Sequence, residues 1–287
     1  MNFDKPKYHV SRKAILIGSP SIGDRYLPGV SQDLINFRRL LKSDNAGRWF
    51  DKEIVTLQNP SIQTVINEVH STTVDYLFVY FSGHGGTTEE NCRVLELRNG
   101  LIADTDLLNI CPRQMIVCDA CSNYIRPGIS GIPEFGEEYF HFDGVYTARE
   151  LFDHYILNSP CGKFIVHSRQ LGQPSYDGRD GGYFTQALIN VATKLNTFRN
   201  YYPLSITDVL AYVPEYLQRR GNSQIPTLYA EGNLEVPFVF GFQQRTRPAP
   251  QPYQQDQTFK SSQQSSTNGW ILLGLGALVL VATLGNK

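Results

Sequence analysis

Short apolar runs alternate with amphipathic segments over most of this chain. Residues 13–17 and 54–57 are apolar runs of strand-like length, whereas residues 31–41 repeat their apolar side chains at helical spacing. Asn59-Pro60 is typical of a helix start with the proline in the first turn, and the apolar positions after it again follow helical spacing. The first part of the chain therefore predicts strands alternating with helices.

The same alternation continues to residue 240. Further strands are predicted at residues 75–84, 114–121, 163–168 and 236–240, the last closing the sheet, and helices at 183–194 and 205–220. Residues 122–160 contain many Gly, Pro and aromatic residues without a sustained period, which predicts a long functional loop. This order of elements indicates an α/β fold whose mostly parallel central sheet is covered on both faces.

The C-terminal part differs in composition and predicts a three-part organisation, with a folded domain over residues 1–242. Residues 243–269 are rich in Gln, Pro, Ser and Thr and hold too few aliphatic residues to offset the entropy of ordering, which predicts a disordered tether. Residues 270–285 begin with Trp270, carry no charge and predict a single C-terminal transmembrane helix, the alternative being a buried helix. Such a helix would span roughly 24 Å of a ~30 Å hydrocarbon core.

The distribution of basic residues and the use of cysteine predict that the folded domain lies in the cytoplasm. Arg245, Arg247 and Lys260 lie on the domain side of the anchor, opposed only by Lys287, and flanking basic residues favour the cytoplasmic side. The five cysteines form no small disulfide framework, and the N-terminus lacks the apolar core of a secretion signal, as expected in a reducing compartment. With 26 basic and 27 acidic residues and no dense basic stripe, nucleic acid is not an expected partner.

Two of the predicted strands end on reactive side chains. The run from Asp75 ends on His84 and is followed by two glycines, and the run from Gln114 ends on Asp119-Ala-Cys121. If the strands are parallel neighbours, their carboxyl ends bring an imidazole and a thiol to the edge where open α/β sheets bind ligands. A thiolate that attacks a carbonyl, beside an imidazolium that protonates the leaving amine, predicts a cysteine peptidase.

At these residues the chain resembles the caspase-like peptidases, which include caspases, metacaspases and paracaspases. The matching blocks are Phe81–Gly85, Asp119–Cys121, and residues 168–177 together with 181–188, within a resemblance that covers roughly residues 10 to 240. The interval between His84 and Cys121 is shorter than the ~50 residues of caspases. The resemblance implies a three-layer sandwich and a protein substrate, with Cys121 as nucleophile and His84 as acid and base. It also implies an oxyanion hole at the amides of Gly85 and Cys121.

The resemblance further implies a substrate pocket of reversed charge. Asp119 stands where caspases carry a glutamine, Asp177 where they carry an arginine, and Asp33 where metacaspases carry a pocket aspartate, with Ser175 also expected to bind substrate. A carboxylate cluster accepts Arg or Lys and repels an acidic side chain. We therefore expect cleavage after Arg or Lys. The alternatives are a helix cap for Asp33 and a solvated loop residue for Asp177.

Several alternatives stay open at the sequence level. Cys118-Asp-Ala-Cys121 is also a C-x-x-C pattern, which occurs in thioredoxin-like redox pairs. No cofactor is expected, although Glu89, Glu90, Asp104 and Asp106 form an incomplete pattern for the calcium that metacaspases often use. Self-cleavage at Arg126 or Arg149 in the long loop is undecided.

The competing class of protein is a silent caspase-fold scaffold that binds partners at the membrane. Its sequence mark would be the loss of the histidine or the cysteine, and both are present at His84 and Cys121. Membrane-tethered bacterial members of the family suggest a role in defence or regulated cell death. The oligomeric state is not predicted.

Overall fold

The computed structural model describes residues 10–89, 91–121, 147–171, 173, 175–195 and 201–242, with the backbone alone described at 121, 201, 202, 241 and 242. The predicted tether over 243–269 and the predicted anchor over 270–285 lie outside these residues. Among the residues that the structure describes, no helix combines the length and the apolar character needed to cross a membrane.

Strands and helices alternate through the described residues much as the apolar pattern predicts. The strands are β1 (Arg12–Ser19), β2 (Ile54–Gln58), β3 (Tyr76–Thr87), β4 (Arg93–Leu97), β5 (Gly100–Ala103), β6 (Arg113–Cys121), β7 (Gly162–His167), β8 (Asp177–Gly178), β9 (Gly181–Gly182), β10 (Tyr201–Leu204), β11 (Thr227–Gly232) and β12 (Val239–Phe242). The helices are α1 (Gly29–Lys42), α2 (Ile62–His70), α3 (Ala148–Asn158), α4 (Tyr183–Lys194), α5 (Ile206–Leu210) and α6 (Val213–Arg219).

The central sheet is mostly parallel, which confirms the fold class. Its strands run in the order β11-β7-β6-β3-β1-β2, with all neighbours parallel except the antiparallel edge strand β11. The hairpin β4–β5 extends the sheet from the end of β3, where β4 pairs antiparallel with residues 85–87. Strand β3 therefore does not stop at His84 as predicted, because its last residues pair with the hairpin.

Both faces of the sheet are covered, so the strands read as continuous apolar runs instead of alternating ones. Alternate residues of β1 show this, since Leu16 packs into the cluster on one face and Ile17 into the cluster on the other. Helices α1, α3, α4, α5 and α6 contribute to the first cluster, and α2 with the β4–β5 hairpin contributes to the second. The predicted three-layer sandwich is confirmed.

Two helix predictions need correction. Helix α2 begins after Ser61, whose hydroxyl accepts a hydrogen bond from the Thr64 amide, so Pro60 precedes the cap instead of lying in the first turn. The region predicted as one helix over 205–220 is two helices, α5 and α6, and a proline lies at the start of the second.

The end of the predicted long loop is helix α3. Thr147 caps it, and the Glu150 carboxylate accepts in return from the Thr147 amide, which is the reciprocal arrangement of a capping box. Arg149 therefore lies on a helix, where two of its nitrogens donate to Glu53 at 2.6 and 2.9 Å. This ion pair makes Arg149 a structural residue, not an exposed loop site for self-cleavage. Residues 122–146, with Arg126, lie outside the described residues.

The sheet is closed by a different strand from the one predicted. Residues 236–240 were expected to complete it, but β11 takes the edge position beside β7. The later strand β12 pairs instead with β10 in a separate two-stranded sheet. Phe238 and Phe240 of the predicted run are buried in the cluster under the central sheet, so the apolar run reflects burial without membership of that sheet.

Candidate active site

The ends of β3 and β6 bring the two candidate catalytic residues together. The strands are parallel neighbours, and their register places His84 opposite Cys121 and Ser82 opposite Asp119. Adjacent strands lie ~4.8 Å apart in the hydrogen-bonding direction, so the backbones at positions 84 and 121 are close neighbours. The side chain of Cys121 lies outside the described part of the structure.

The imidazole of His84 is oriented by a backbone carbonyl. Its Nε2 atom lies 2.5 Å from the carbonyl oxygen of Arg25. Since a carbonyl oxygen only accepts hydrogen bonds, the proton of the neutral ring belongs on Nε2, and Nδ1 is then the nitrogen that can accept a proton. A carbonyl partner has no signature in sequence, because every residue carries one, and sequence analysis missed this contact.

Gly85 lies where β3, β4 and the end of β6 approach closely. A methyl group placed on Gly85 would lie 2.7 Å from the Cβ of Ala120 and 2.7 Å from the Val94 carbonyl oxygen. These distances are shorter than any normal contact of a Cβ atom, so the packing of the strands already requires glycine here. The structure thus supplies a packing reason for Gly85 beside its expected role in the oxyanion hole.

Asp33 lies on helix α1, and its buried side chain faces the central sheet. Its carboxylate accepts from the Ser82 hydroxyl at 2.7 Å and from the Gly182 amide at 2.9 Å. Since both donors lie outside α1, Asp33 is not the cap of its own helix. The alternative interpretation as a helix cap was wrong.

Asp119 is buried near the end of β6 and is held by donors from two other segments. Its Oδ2 atom accepts from the Thr185 hydroxyl at 2.7 Å and from the Thr185 amide at 3.0 Å, at the start of α4. The Ser175 hydroxyl donates to its other oxygen at 3.3 Å and itself accepts from Gln224 at 2.8 Å. Ser175 is buried, so in this conformation it positions Asp119 and offers no surface to a substrate.

Asp177 is the partly exposed member of the three candidate pocket acids. Its carboxylate accepts from the Gly29 amide at 3.2 Å, at the first residue of α1, where a helix favours negative charge. Asp177 therefore acts as a cap for a helix that has no cap of its own. The alternative interpretation as a solvated loop residue was wrong.

The three carboxylates surround the short segment Gly181-Gly182. A methyl group on Gly182 would lie 2.3 Å from an Asp119 oxygen and 3.3 Å from an Asp33 oxygen, so both carboxylates flank one point. Asp177 lies on β8, which pairs directly with Gly182 on β9. The tertiary structure thus brings together three acids that are far apart in the chain.

Burial raises the pKa of all three acids, and the neighbouring Asp119 adds to the rise at Asp33 and Asp177. Burial raises the pKa of Asp33, and the neighbouring Asp119 raises it further, while hydrogen bonds from Ser82 and Gly182 act in the opposite direction. Burial likewise raises the pKa of Asp119, and it raises the pKa of Asp177 to about 7. None of the ion pairs found between described residues includes any of the three acids.

Sequence analysis assigned no role to several residues that build this site. Ser82 and Thr185 lie within the motif blocks but were given no function, and their contacts with Asp33 and Asp119 become visible only when α1 and α4 pack on the sheet. Gln224 lies outside every block and is buried behind Ser175. Proximity to a motif was a usable signal for the first two residues, and Gln224 offered none.

The other candidate chemistries receive little support from the geometry. Cys118 is buried in the cluster that includes α2, and burial raises its pKa, whereas a redox pair needs an accessible thiol of lowered pKa. Of the acids considered for calcium, Asp104 has a carboxylate oxygen 2.7 Å from Nε2 of His167, and Asp106 accepts a hydrogen bond from the Ala103 amide. In the described ranges, no group of three acidic, histidine or cysteine side chains is placed to hold a metal ion.

Comparisons with known proteins agree on the fold. A family model described as the caspase domain matches residues 11–236. Caspase-1 from Spodoptera frugiperda is 16% identical with a TM-score of 0.51, covering 86% of this chain and 98% of that chain. A protein from Geobacter sulfurreducens is 17% identical with a TM-score of 0.51, covering 86% and 98%. A structure titled pro-sf-caspase-1 is 17% identical with a TM-score of 0.51, covering 84% and 100%. No curated protein matches the chain.

Proposed function

The chain belongs to the caspase-domain family of cysteine endopeptidases, and from that premise we propose that it cleaves protein substrates after Arg or Lys. In this proposal Cys121 is the nucleophile, and His84 is the acid and base. The observation that carries the specificity is the group of three carboxylates around Gly181-Gly182, which forms no ion pair with a described basic residue.

The proposed reaction uses the tautomer that the Arg25 carbonyl selects. Nδ1 of His84 accepts the proton of the Cys121 thiol, and the thiolate then attacks the carbonyl carbon of the scissile peptide bond. The imidazolium returns that proton to the leaving amine as the C–N bond breaks, which leaves a thioester on Cys121. Water, deprotonated by the neutral imidazole, hydrolyses the thioester and regenerates the thiol. The amides of Gly85 and Cys121 are the proposed donors to the oxyanion.

The three acids have no basic partner in the ion pairs found between described residues, and a basic substrate side chain would be that partner. Asp177 is the carboxylate that such a side chain reaches first, because Asp33 and Asp119 are each 1% exposed. The two buried acids contribute by holding Gly182 and Thr185 in place. An Asp side chain at the same place would add a fourth carboxyl group to the cluster, which costs several kcal/mol when like charges meet.

Peptide hydrolysis tests the proposal directly. Matched fluorogenic peptides with Arg, Lys or Asp at the first position should be cleaved in the Arg and Lys series only. Cys121→Ala and His84→Ala should each abolish cleavage, whereas Cys161→Ser, at an exposed cysteine, should leave it unchanged. Preferred hydrolysis after Asp would contradict the assigned pocket. Hydrolysis that survives Cys121→Ala would contradict the assigned nucleophile, and a biological output that survives it would favour the scaffold.

We also propose that residues 270–285 anchor the enzyme in a membrane, with the peptidase domain in the cytoplasm. The support is the uncharged apolar run after Trp270 and the basic residues on its domain side. The full chain should stay with membranes after alkaline extraction, and Leu275→Arg should release it. Proteins whose new termini depend on Cys121 in living cells would identify the substrate and test a role in defence or regulated cell death.

A further inference from the structure

Glu96 is the side chain that ties down the loop that orients His84. The loop runs from Pro20 to Pro28 and supplies the Arg25 carbonyl that contacts Nε2 of His84. Glu96 binds this loop twice, through the Arg25 guanidinium at 2.5 Å and the Ser21 hydroxyl at 3.4 Å. The sequence offers no signal for this contact, because Glu96 lies outside the motif blocks.

The loop needs such a tie because little else holds it. Residues 22–26 are all exposed, and Leu27 is the first buried side chain after them. Ser21 and Gly23 adopt positive φ angles of 63° and 61°, a conformation that costs energy at serine and persists only when contacts hold it. Among the described residues, the side-chain hydrogen bonds that join the segment 21–26 to another element are the two to Glu96 and the His84 contact itself.

Glu96 and His84 belong to one rigid ladder. Glu96 lies on β4, next to Leu95, and Leu95 pairs with Gly85, the residue after His84. The acid that anchors the loop and the histidine that the loop orients are therefore fixed to the same pair of strands. A change in the Glu96 contact would move the Arg25 carbonyl relative to the imidazole.

We propose that Glu96 is a positioning residue, which fixes the tautomer and orientation of His84 by holding Arg25 through an ion pair. This inference rests on the proposed function, in which His84 is the acid and base. The Arg25 side chain acts only through Glu96, since the contact with His84 comes from the backbone carbonyl, which every substitution at position 25 retains but does not hold in place. Arg25 and Glu96 should then behave as one functional unit.

A double-mutant cycle on the full-length chain tests the proposal. Arg25→Ala and Glu96→Ala should each lower kcat about 10- to 100-fold with KM nearly unchanged, since a misplacement of ~1 Å can cost ~10²-fold. The double variant should be no worse than either single one, and the exchanged pair Arg25→Glu with Glu96→Arg should recover part of the loss. The matched control is the exposed pair Arg219–Glu215, which also meets at 2.5 Å, and its loss should leave kcat unchanged.

Several results would overturn the inference. Unchanged kcat in Glu96→Ala, or losses that multiply in the double variant, would show that the pair does not act as a unit. A rise of KM alone in Arg25→Ala would show that Arg25 contacts the substrate. The thermal midpoint of each variant separates loss of folding from loss of positioning, and Glu96→Gln, which keeps one accepting oxygen but loses the charge, provides a milder variant.

A second measurement keeps this inference separate from the proposed function. The rate at which iodoacetamide alkylates Cys121 depends on His84 but needs no peptide substrate, and it should fall in Glu96→Ala as it does in His84→Ala. If the wild-type protein cleaves no peptide, the proposed function fails, while the alkylation rates still decide the role of Glu96. If it cleaves Arg peptides and Glu96→Ala matches it in both assays, the inference alone fails.

Discussion

Asp177→Asn should remove a pH dependence that is specific to basic substrates. The pKa of Asp177 is raised to about 7 by burial, so about one tenth of the protein carries this charge at pH 6 and about nine tenths at pH 8. Only the ionised form attracts an Arg side chain. The preference for Arg over an uncharged side chain should therefore fall roughly five- to tenfold between pH 8 and pH 6.

The size of the preference follows from the same contact. A hydrogen bond to a charged partner contributes ~1.5–3 kcal/mol, which is roughly 10- to 150-fold in kcat/KM. Asparagine keeps the oxygen that accepts from the Gly29 amide, so the cap of α1 should survive the substitution. The variant should lose the contribution of Asp177 at both pH values, and this loss should be roughly five- to tenfold smaller at pH 6 than at pH 8.

The assay compares two peptides that differ only at the first position, one with Arg and one with norleucine. The ratio of their kcat/KM values, measured from pH 5.5 to 8.5, cancels the titration of Cys121 and His84, because both peptides need those groups equally. Asp180→Asn is the control, since Asp180 is an exposed acid of the same hairpin. A ratio that stays constant with pH in the wild type, or that keeps its pH dependence in Asp177→Asn, would refute the reasoning.

Three further predictions address the site and the core. Gly182→Ala keeps an allowed backbone, since φ is −62°, but it places a methyl group 2.3 Å from an Asp119 oxygen. It should therefore lower kcat/KM for Arg peptides at least tenfold and leave the rate of Cys121 alkylation unchanged. Cleavage equal to that of the wild type would contradict this prediction. Because the pKa of Asp177 is raised in the folded protein, the unfolded chain loses this proton at a lower pH than the folded protein does. The free energy of unfolding should therefore fall as the pH rises from 3.8 to about 7. Urea titrations at several pH values should show a smaller fall in Asp177→Asn. Asp153→Ala removes a partner of the fully buried Arg12 and should lower the free energy of unfolding, measured by urea titration, by ~3–5 kcal/mol. A loss below ~1 kcal/mol would show that the remaining partners of Arg12 are enough to compensate its buried charge.

Local pattern was sufficient for the elements that deliver the candidate catalytic pair. The apolar runs before His84 and Cys121 identified β3 and β6, because a strand buried on both faces must be apolar throughout. Helix α4 has the predicted bounds, since its apolar residues repeat at helical spacing and two glycines precede it. Helix α3 was missed, although Thr147 and Glu150 form a capping box, because the residues before it gave no period to extend.

The local apolar pattern did not predict the edge strands or which strands pair with each other. The hairpin β4–β5 and the strand β11 are short and only partly buried, so their sequences lack the continuous apolar runs of central strands. The run at residues 236–240 has such a pattern but packs under the sheet without joining it. Burial alone explains its composition, and pairing depends on where the preceding helices leave the chain.

The sequence by itself determined the alternation of strands and helices, the reactive residues at two strand ends and, through resemblance, the acids of the pocket. Only the tertiary structure decided that Asp33, Asp119 and Asp177 meet around Gly182, since each is held by hydrogen bonds from distant segments. It also decided that a backbone carbonyl orients His84, because such a contact depends on loop geometry and not on side-chain identity. Strand formation follows from nearby residues, whereas the environment of a buried charge depends on which remote donors the packing brings to it.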